Sequence, residues 1–147
     1  MPVRMQSYCW VTAQFVLVGL MLLWSVPWRF GAIPLCFAVA AMALGLWVLT
    51  HNPPGNFNIR PEPRTGARLV TSGPYRRVRH PMYDALLLAM AAVAAAAPGD
   101  GLLWLLWALL GVVLNFKAGL EERLLELRWP DYRNYREETW RFVPGVW

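Results

Sequence analysis

Apolar residues dominate four runs of the sequence, and the lengths of these runs set the first expectation. Two uncharged runs lie near the N-terminus, over residues 10–26 and 32–50. Two more apolar runs follow, over residues 82–97, interrupted only by Asp84, and over residues 102–116. A helix of about 20 apolar residues crosses the roughly 30 Å hydrocarbon layer of a membrane. Because lipid favours segments that satisfy their own backbone hydrogen bonds, the pattern predicts about four transmembrane helices.

Two alternatives account for the same runs less well. The last two runs are short for full spans and would suit a buried hairpin of a soluble protein, but the chain has too little polar sequence to cover four such runs in water. A cleaved signal peptide is disfavoured because Pro27, Trp28 and Arg29 follow the first run, in place of small residues, and a second span comes at once. We therefore predict an all-α integral membrane protein with a single domain over residues 1–147.

Composition and charge narrow the choice of partner. The sequence is 57% hydrophobic and 16% charged, which excludes a disordered chain, and its two cysteines lie in apolar runs, which gives no support to a disulfide framework. The net charge of +5 indicates an anionic partner, either phospholipid head groups or nucleic acid. Since an anionic leaflet attracts basic segments beside transmembrane helices, membrane lipids suffice and no nucleic acid is expected.

The basic residues also predict the orientation in the membrane. With four spans, the N-terminus, the loop over residues 51–81 and the tail over residues 117–147 fall on the same side. These segments contain every basic residue except Arg29, namely Arg4, Arg60, Arg64, Arg68, Arg76, Arg77, Arg79, Lys117, Arg123, Arg128, Arg133, Arg136 and Arg141. The positive-inside rule therefore predicts cytoplasmic termini, in a bacterial-type inner membrane.

The first candidate for chemistry is the loop segment that leads into the third span. A residue before proline avoids helical geometry and proline suits the first helical position, so His80 should cap a helix that begins at Pro81. The positive end of that helix would suit an anion such as a carboxylate, with Tyr75 and Tyr83 beside it. Alternatively, these tyrosines belong to the aromatic belt at the membrane surface and the nearby arginines are lipid anchors.

The second candidate follows the fourth span. Leucines at helical spacing predict that this span continues as an amphipathic C-terminal helix. Lys117 and Glu121 lie one turn apart and would form a weak surface ion pair in the simplest interpretation. Glu121 and Glu122 together need a cationic partner near an anionic leaflet, which either the arginines or a cationic ligand would supply.

These motifs form a recognisable pattern over roughly the C-terminal two-thirds of the chain. The sequence resembles the isoprenylcysteine carboxyl methyltransferase family and the related small membrane phospholipid methyltransferases. The resemblance implies spanning helices with a cytoplasmic pocket for S-adenosylmethionine, formed by the loop and the C-terminal helix, in place of a Rossmann fold. The sequence agrees in having no Gly-x-Gly-x-x-Gly motif. The matching stretches are residues 55–58 (GNFN), 69–75 (LVTSGPY), 79–83 (RHPMY), 121–122 (EE) and the tail from Trp129 to Pro144.

The resemblance also implies a set of site residues. Glu121 would receive the ammonium group of the cofactor, with Glu122 beside it. Lys117 and Arg79 are the catalytic candidates, and no metal is expected. Lys117 stands where the prenylcysteine enzymes look to carry an arginine that can hold the substrate carboxylate, so the charge is kept but the bidentate fork is lost. The implied cofactor contacts are Arg68, Leu69, Val70, Tyr75, His80, Pro81, Met82, Tyr83, Glu121 and Glu122.

Three functions remain open from the sequence. The first is an S-adenosylmethionine-dependent methyltransferase acting on a lipophilic carboxylate or thiol that enters from the bilayer. The second is a phospholipid N-methyltransferase, in which His80 or a glutamate would accept the proton that an amine must lose. The third is a non-catalytic membrane protein that keeps the scaffold.

Overall fold

The computed structural model describes residues 2–25, 27–56 and 58–145, and these contain helices and no strand. Val26 at the end of the first predicted span and Phe57 in the GNFN motif lie outside the described residues. The helices are α1 (Val3–Trp24), α2 (Ala32–His51), α3 (Pro81–Ala95), α4 (Gly101–Arg128) and α5 (Tyr132–Glu137), with short 3-10 turns at Pro54–Asn56 and Gly73–Arg76.

The first helix begins before its predicted start. α1 starts at Val3 although the first uncharged run starts at Trp10. The polar residues of the first turns do not interrupt it, because Ser7 Oγ donates back to the Val3 carbonyl oxygen (3.1 Å) and so satisfies its hydroxyl within the helix. The second helix agrees with its predicted run to within one residue.

The third helix is shorter than a typical membrane span. α3 has 15 residues, which corresponds to about 22 Å at 1.5 Å per residue, against a hydrocarbon layer of roughly 30 Å. Among the described residues, three helices are long and apolar enough to cross a membrane, namely α1, α2 and α4. The predicted set of four therefore becomes three helices of spanning length and one short apolar helix.

The fourth helix confirms the predicted continuation. α4 extends 28 residues to Arg128 without a break, so that the glutamate pair lies on the same rigid element as the apolar run. Its start is fixed by Asp100, whose Oδ1 accepts from the Leu102 N–H (3.0 Å) while its Oδ2 accepts from Trp24 Nε1 (2.8 Å). Asp100 therefore caps α4 and ties it to the end of α1.

The helices pack as two neighbouring pairs, α1 on α4 and α2 on α3, joined by contacts of α3 with α4 and α1. The buried cluster lies where α1, α3 and α4 meet, and it consists of Met21, Met90, Ala94, Leu103, Leu110 and Leu114. Large apolar side chains of α1 and α2, such as Leu23 and Ile33, point outward and are exposed. Such extensive exposure of apolar surface suits a lipid environment.

Candidate functional site

The loop before α3 is anchored on the end of α2. Gly73 adopts a left-handed conformation (φ 59°), and a Cβ atom there would lie 2.3 Å from Cδ2 of His51. His51 is the last residue of α2, and its Nδ1 lies 3.0 Å from the Trp47 carbonyl oxygen. Only glycine permits both this conformation and this close approach, so Gly73 sets where the loop returns towards the membrane helices.

The middle of the loop is held by one asparagine of the GNFN motif. Asn56 Nδ2 donates to the Arg68 carbonyl oxygen (2.7 Å), and Asn56 Oδ1 accepts from the Arg68 N–H (2.9 Å). The side-chain amide of Asn56 thus makes the pair of hydrogen bonds with the Arg68 backbone that a residue of a neighbouring β-strand would make. It fixes the backbone that leads into Leu69 and Val70, both half-buried, whereas the side chain of Arg68 is exposed.

The segment that follows α4, from Trp129 onwards and called the tail below, covers the start of α3. Residues Val78 and Trp140 form an isolated parallel bridge, and the His80 N–H donates to the Arg141 carbonyl oxygen (3.2 Å). The N–H groups of Tyr83 and Asp84 turn back to the carbonyl oxygen of His80 (2.9 and 3.3 Å).

The helix start at Pro81 is confirmed, but it presents fewer donors than the sequence predicts for an anion site. Pro81 has no N–H and is buried. The N–H groups of Tyr83 and Asp84 are already bonded to the His80 carbonyl oxygen. The Met82 side chain is 44% exposed, so it points away from the buried cluster described next.

Glu122 is the centre of a buried charge cluster. Its side chain is 2% exposed, and its Oε1 accepts from Arg79 Nε (2.9 Å) while its Oε2 accepts from Arg141 Nη2 (2.6 Å). His80 Nε2 lies 3.3 Å from Oε1 of the same carboxylate. Glu122 therefore has protein partners on both oxygens and binds the loop and the tail to α4.

Arg79 holds the tail in place. Its Nη1 donates to the carbonyl oxygens of Arg136 (2.9 Å) and Thr139, and its Nε is bonded to Glu122. These partners belong to α4 and to the tail, so the guanidinium of this catalytic candidate links two structural elements. Its side chain is buried.

Glu121, one residue before Glu122, is in a different situation. Its Oε2 accepts from the hydroxyl of Tyr83 (2.8 Å) and lies 3.7 Å from His80 Nδ1, and 29% of its side chain is exposed. The rings of His80 and Tyr83 stack at a centroid distance of 5.2 Å. The structure thus brings together residues of two motifs that lie far apart in the sequence, and it leaves one carboxylate partly open.

Tyr75 borders the same region. Its hydroxyl accepts from Asn52 Nδ2 (3.1 Å), and its carbonyl oxygen accepts from the hydroxyl of Tyr135 (2.6 Å). Burial raises the pKa of Tyr75 to about 12, and the negative charge of Glu121 adds to the rise. Its hydroxyl therefore stays protonated at neutral pH, with a hydrogen to donate.

Lys117 does not form the surface ion pair with Glu121 that helical spacing suggested. Lys117 is 2% exposed, its Nζ donates to Gln14 Oε1 of α1 (2.7 Å), and it lies 5.1 Å from the ring centroid of Tyr83. A lysine side chain leans towards the N-terminus of its own helix, and here α1 and α3 pack against that part of α4. The ammonium group is therefore enclosed between three helices.

A groove of about 520 Å³ lies between the first turns of α1 and the second half of α4. It is lined by Trp10 and Phe116, whose rings stack at 5.3 Å, and by Glu122, Arg123 and Arg141. The groove thus joins apolar aromatic side chains to charged side chains of the Glu122 cluster.

Sequence reasoning missed several partners of these residues. Gln14 and Asn115 are polar residues inside otherwise apolar runs, and that position alone marks a candidate functional residue in a membrane helix. Asn115 Oδ1 accepts from Arg141 Nη1 (2.8 Å). Arg141 gave no signal of its own, because nothing in the spacing of the tail indicates that it folds back onto Glu122.

Comparison with known proteins gives one result that covers this region. Residues 32–125 match the model of the isoprenylcysteine carboxyl methyltransferase (ICMT) family. The match includes the loop, the His80–Tyr83 segment and the glutamate pair, and it leaves out α1 and the tail. No curated protein matches the chain.

Proposed function

The chain belongs to the isoprenylcysteine carboxyl methyltransferase family, and on this premise we propose that it is a membrane methyltransferase that uses S-adenosylmethionine and methylates a lipophilic carboxylate. The observation that carries the proposal is the meeting of Tyr83, His80 and Glu121, with the Glu121 carboxylate left partly open. This arrangement joins the loop, α3 and α4 at one place, as a pocket for a cationic cofactor requires.

The donor set fits such a cofactor. The partly exposed carboxylate of Glu121 suits the ammonium group, because a charge-assisted hydrogen bond is stronger than a neutral one. Tyr75 offers an aromatic face, which attracts cations. When bound, S-adenosylmethionine supplies the electrophilic methyl group, and the protein's task is to bind, orient and exclude water.

Glu122 and Arg79 have a different part in this proposal. Their charges are paired with each other in a buried cluster, so we assign them to holding the loop and the tail around the pocket. Of the two glutamates, Glu121 is therefore the proposed ligand of the cofactor. The further contacts that the family resemblance implies, including Arg68, Leu69, Val70 and Met82, remain part of the proposal.

The surroundings of His80 favour a carboxylate acceptor over an amine. An amine must lose a proton before it accepts a methyl group, whereas a carboxylate has none to lose. His80 Nδ1 faces Glu121 at 3.7 Å and Nε2 faces Glu122 at 3.3 Å. Because both ring nitrogens face carboxylates inside the protein, neither is directed at an acceptor as a base.

The proposal includes a placement in the membrane. The tail and the loop meet at the bridge between Val78 and Trp140, and both are rich in arginine, so we place them together on the cytoplasmic side with the N-terminus. The groove between α1 and α4 lies at the same end, and we propose that the acceptor chain reaches the pocket there from the bilayer. The whole chain then acts as one domain.

Calorimetric titration of S-adenosylmethionine into the detergent-purified protein tests the proposed function. We expect the wild type to bind, and Glu121→Gln to weaken binding by about 10- to 100-fold, because a hydrogen bond to a charged group contributes about 1.5–3 kcal/mol. The matched control is Glu126→Gln on the same helix, whose carboxylate pairs with Arg136 near the surface (2.6 Å).

The control variant is expected to bind S-adenosylmethionine as the wild type does. A folded wild-type protein that does not bind S-adenosylmethionine would overturn the proposed function. Equal affinity of the wild type and Glu121→Gln would instead remove Glu121 from the cofactor site.

A further inference from the structure

Gln14 is a polar residue in the middle of α1, where its neighbours along the chain are apolar. It lies outside the stretch that matches the family model, so nothing in that match assigns it a role. Its side chain faces α4, where its Oε1 accepts from Lys117 Nζ (2.7 Å). Polar groups are expensive inside a membrane helix and mark functional positions, which makes this contact the starting point.

Lys117 has more hydrogen-bonding capacity than the protein uses. An ammonium group has three N–H donors, and one of them is bonded to Gln14. The face of the Tyr83 ring, 5.1 Å away, adds a weaker attraction. Within the described part of the chain, no carboxylate oxygen lies within 4.0 Å of this ammonium group, although the side chain is 2% exposed. A buried cation in this state favours an anion from outside the chain.

Gln14 has donors of its own beside this cation. With its oxygen turned to Lys117, its amide nitrogen has two N–H groups, and these have no acceptor among the residues that the structure describes. Because the Gln14 oxygen accepts from the Lys117 ammonium group, the amide nitrogen of Gln14 lies close to that ammonium group. Together they offer adjacent N–H donors on two side chains, as a guanidinium does on one.

We propose that Gln14 is a further binding residue beside Lys117, the position at which the family resemblance implies a cation for the substrate carboxylate. In this composite subsite for the oxyanion of the acceptor, Gln14 supplies the donor that a lysine lacks. The inference rests on the proposed function and names the part of the acceptor that is recognised, a carboxylate or an equally charged oxyanion. A cationic amine head group meets a buried ammonium group here and is repelled. The subsite therefore selects against amine acceptors.

Binding of an acceptor in the absence of S-adenosylmethionine tests this inference separately from catalysis. The probes are N-acetyl-S-farnesylcysteine and its carboxamide, titrated into the detergent-purified full chain. We expect the wild type to prefer the carboxylate, and Gln14→Leu to weaken carboxylate binding about tenfold while carboxamide binding changes little. We expect Gln14→Glu to abolish the preference, because a carboxylate at this position neutralises the ammonium group.

A second substitution distinguishes a lost donor from general damage. Lys117→Arg in the Gln14→Leu background restores two donors from one side chain, and we expect it to recover most of the carboxylate affinity. The matched control is Thr12→Val, an exposed position on the same helix, which is expected to bind like the wild type.

The outcomes separate the two proposals. A wild type that binds neither probe, or both equally, overturns the oxyanion subsite, as does unchanged carboxylate affinity in Gln14→Leu. Failure of the wild type to bind S-adenosylmethionine counts against the proposed function, and the acceptor titrations remain interpretable because they contain no cofactor.

Discussion

Two glutamates that are neighbours in the sequence have opposite surroundings. Glu122 has partners on both oxygens from Arg79 and Arg141, so its charge is compensated within the protein. Glu121 receives one hydroxyl, from Tyr83, and keeps part of its surface open. Adjacent residues on a helix point in directions about 100° apart, which is why one faces the tail and the other faces the proposed pocket.

Gly73 is the loop residue whose replacement we expect to be most disruptive. Gly73→Ala places a Cβ atom 2.3 Å from the His51 ring in a backbone with φ 59°. The ring contacts Trp47, so moving it aside disrupts that contact. A residue other than glycine in the left-handed conformation costs roughly 1–2 kcal/mol. We expect Gly73→Ala to reduce the free energy of unfolding by more than this. The change is measured as a lower unfolding temperature by tryptophan fluorescence in detergent.

Gly66 provides the matched control for this substitution. It also has a positive φ (82°), but no atom lies within 4 Å of the position that a Cβ atom would occupy there. Gly66→Ala should therefore lower the unfolding temperature less than Gly73→Ala. An equal effect of the two substitutions would show that the contact with His51 contributes nothing.

At the residue scale, sequence reasoning identified the residues of the site better than their partners. The helix start at Pro81 and the continuation of α4 followed from local rules, and they bring His80, Tyr83 and Glu121 together. The contact of Gln14 with Lys117 joins positions far apart in the chain. Helical spacing favours a local partner for Lys117, and only packing of α1 on α4 reveals the distant one.

The elements around the site are connected by the tail, which has little secondary structure of its own. α5 spans only six residues, and the segment after it crosses the start of α3 through the Val78–Trp140 bridge. Arg79 and Arg141 attach this segment to Glu122 on α4. The tail is therefore held by buried charge pairs more than by helix packing.

Glu122→Gln tests how the tail is held. Removing one charge from a buried cluster leaves its partners uncompensated, at a cost of about 3–5 kcal/mol. We expect limited trypsin digestion to cleave the tail of this variant at least tenfold faster than the tail of the wild type.

Glu137→Gln is the control, because Glu137 pairs with Arg133 on the surface at 3.9 Å and such a pair contributes little. Its tail should be cleaved at the wild-type rate. Equal cleavage of the Glu122→Gln and wild-type proteins would contradict the proposed attachment.

At the element scale, the four apolar runs predicted four helices, and the structure corrects chiefly the start of α1. The short third run agrees with α3, which has 15 residues from Pro81 to Ala95 and is shorter than a typical span. α1 is longer than its run because the polar residues before Trp10 remain helical. Hydropathy marks where apolar residues lie, whereas helix ends depend on capping and on local hydrogen bonds.

At the scale of the whole molecule, two features combine. Apolar outer faces on α1 and α2 suit lipid, and the polar residues converge at the end where the loop, the tail and the second half of α4 meet. The sequence predicted an all-helical membrane protein with loop and tail together, since both lie between or after runs of suitable length. It did not predict which helices pair, because the apolar runs are too similar in composition to specify their neighbours.

The most direct test of the central claim is transfer of a labelled methyl group by the protein reconstituted in vesicles. With S-adenosyl-[methyl-³H]methionine and N-acetyl-S-farnesylcysteine, we predict label in the organic extract that base releases as methanol, as expected for an ester. We predict that Glu121→Gln reduces this label at least tenfold at limiting cofactor concentration. Absence of label from the folded wild-type protein, or label that resists base and remains in a phospholipid head group, would contradict the account.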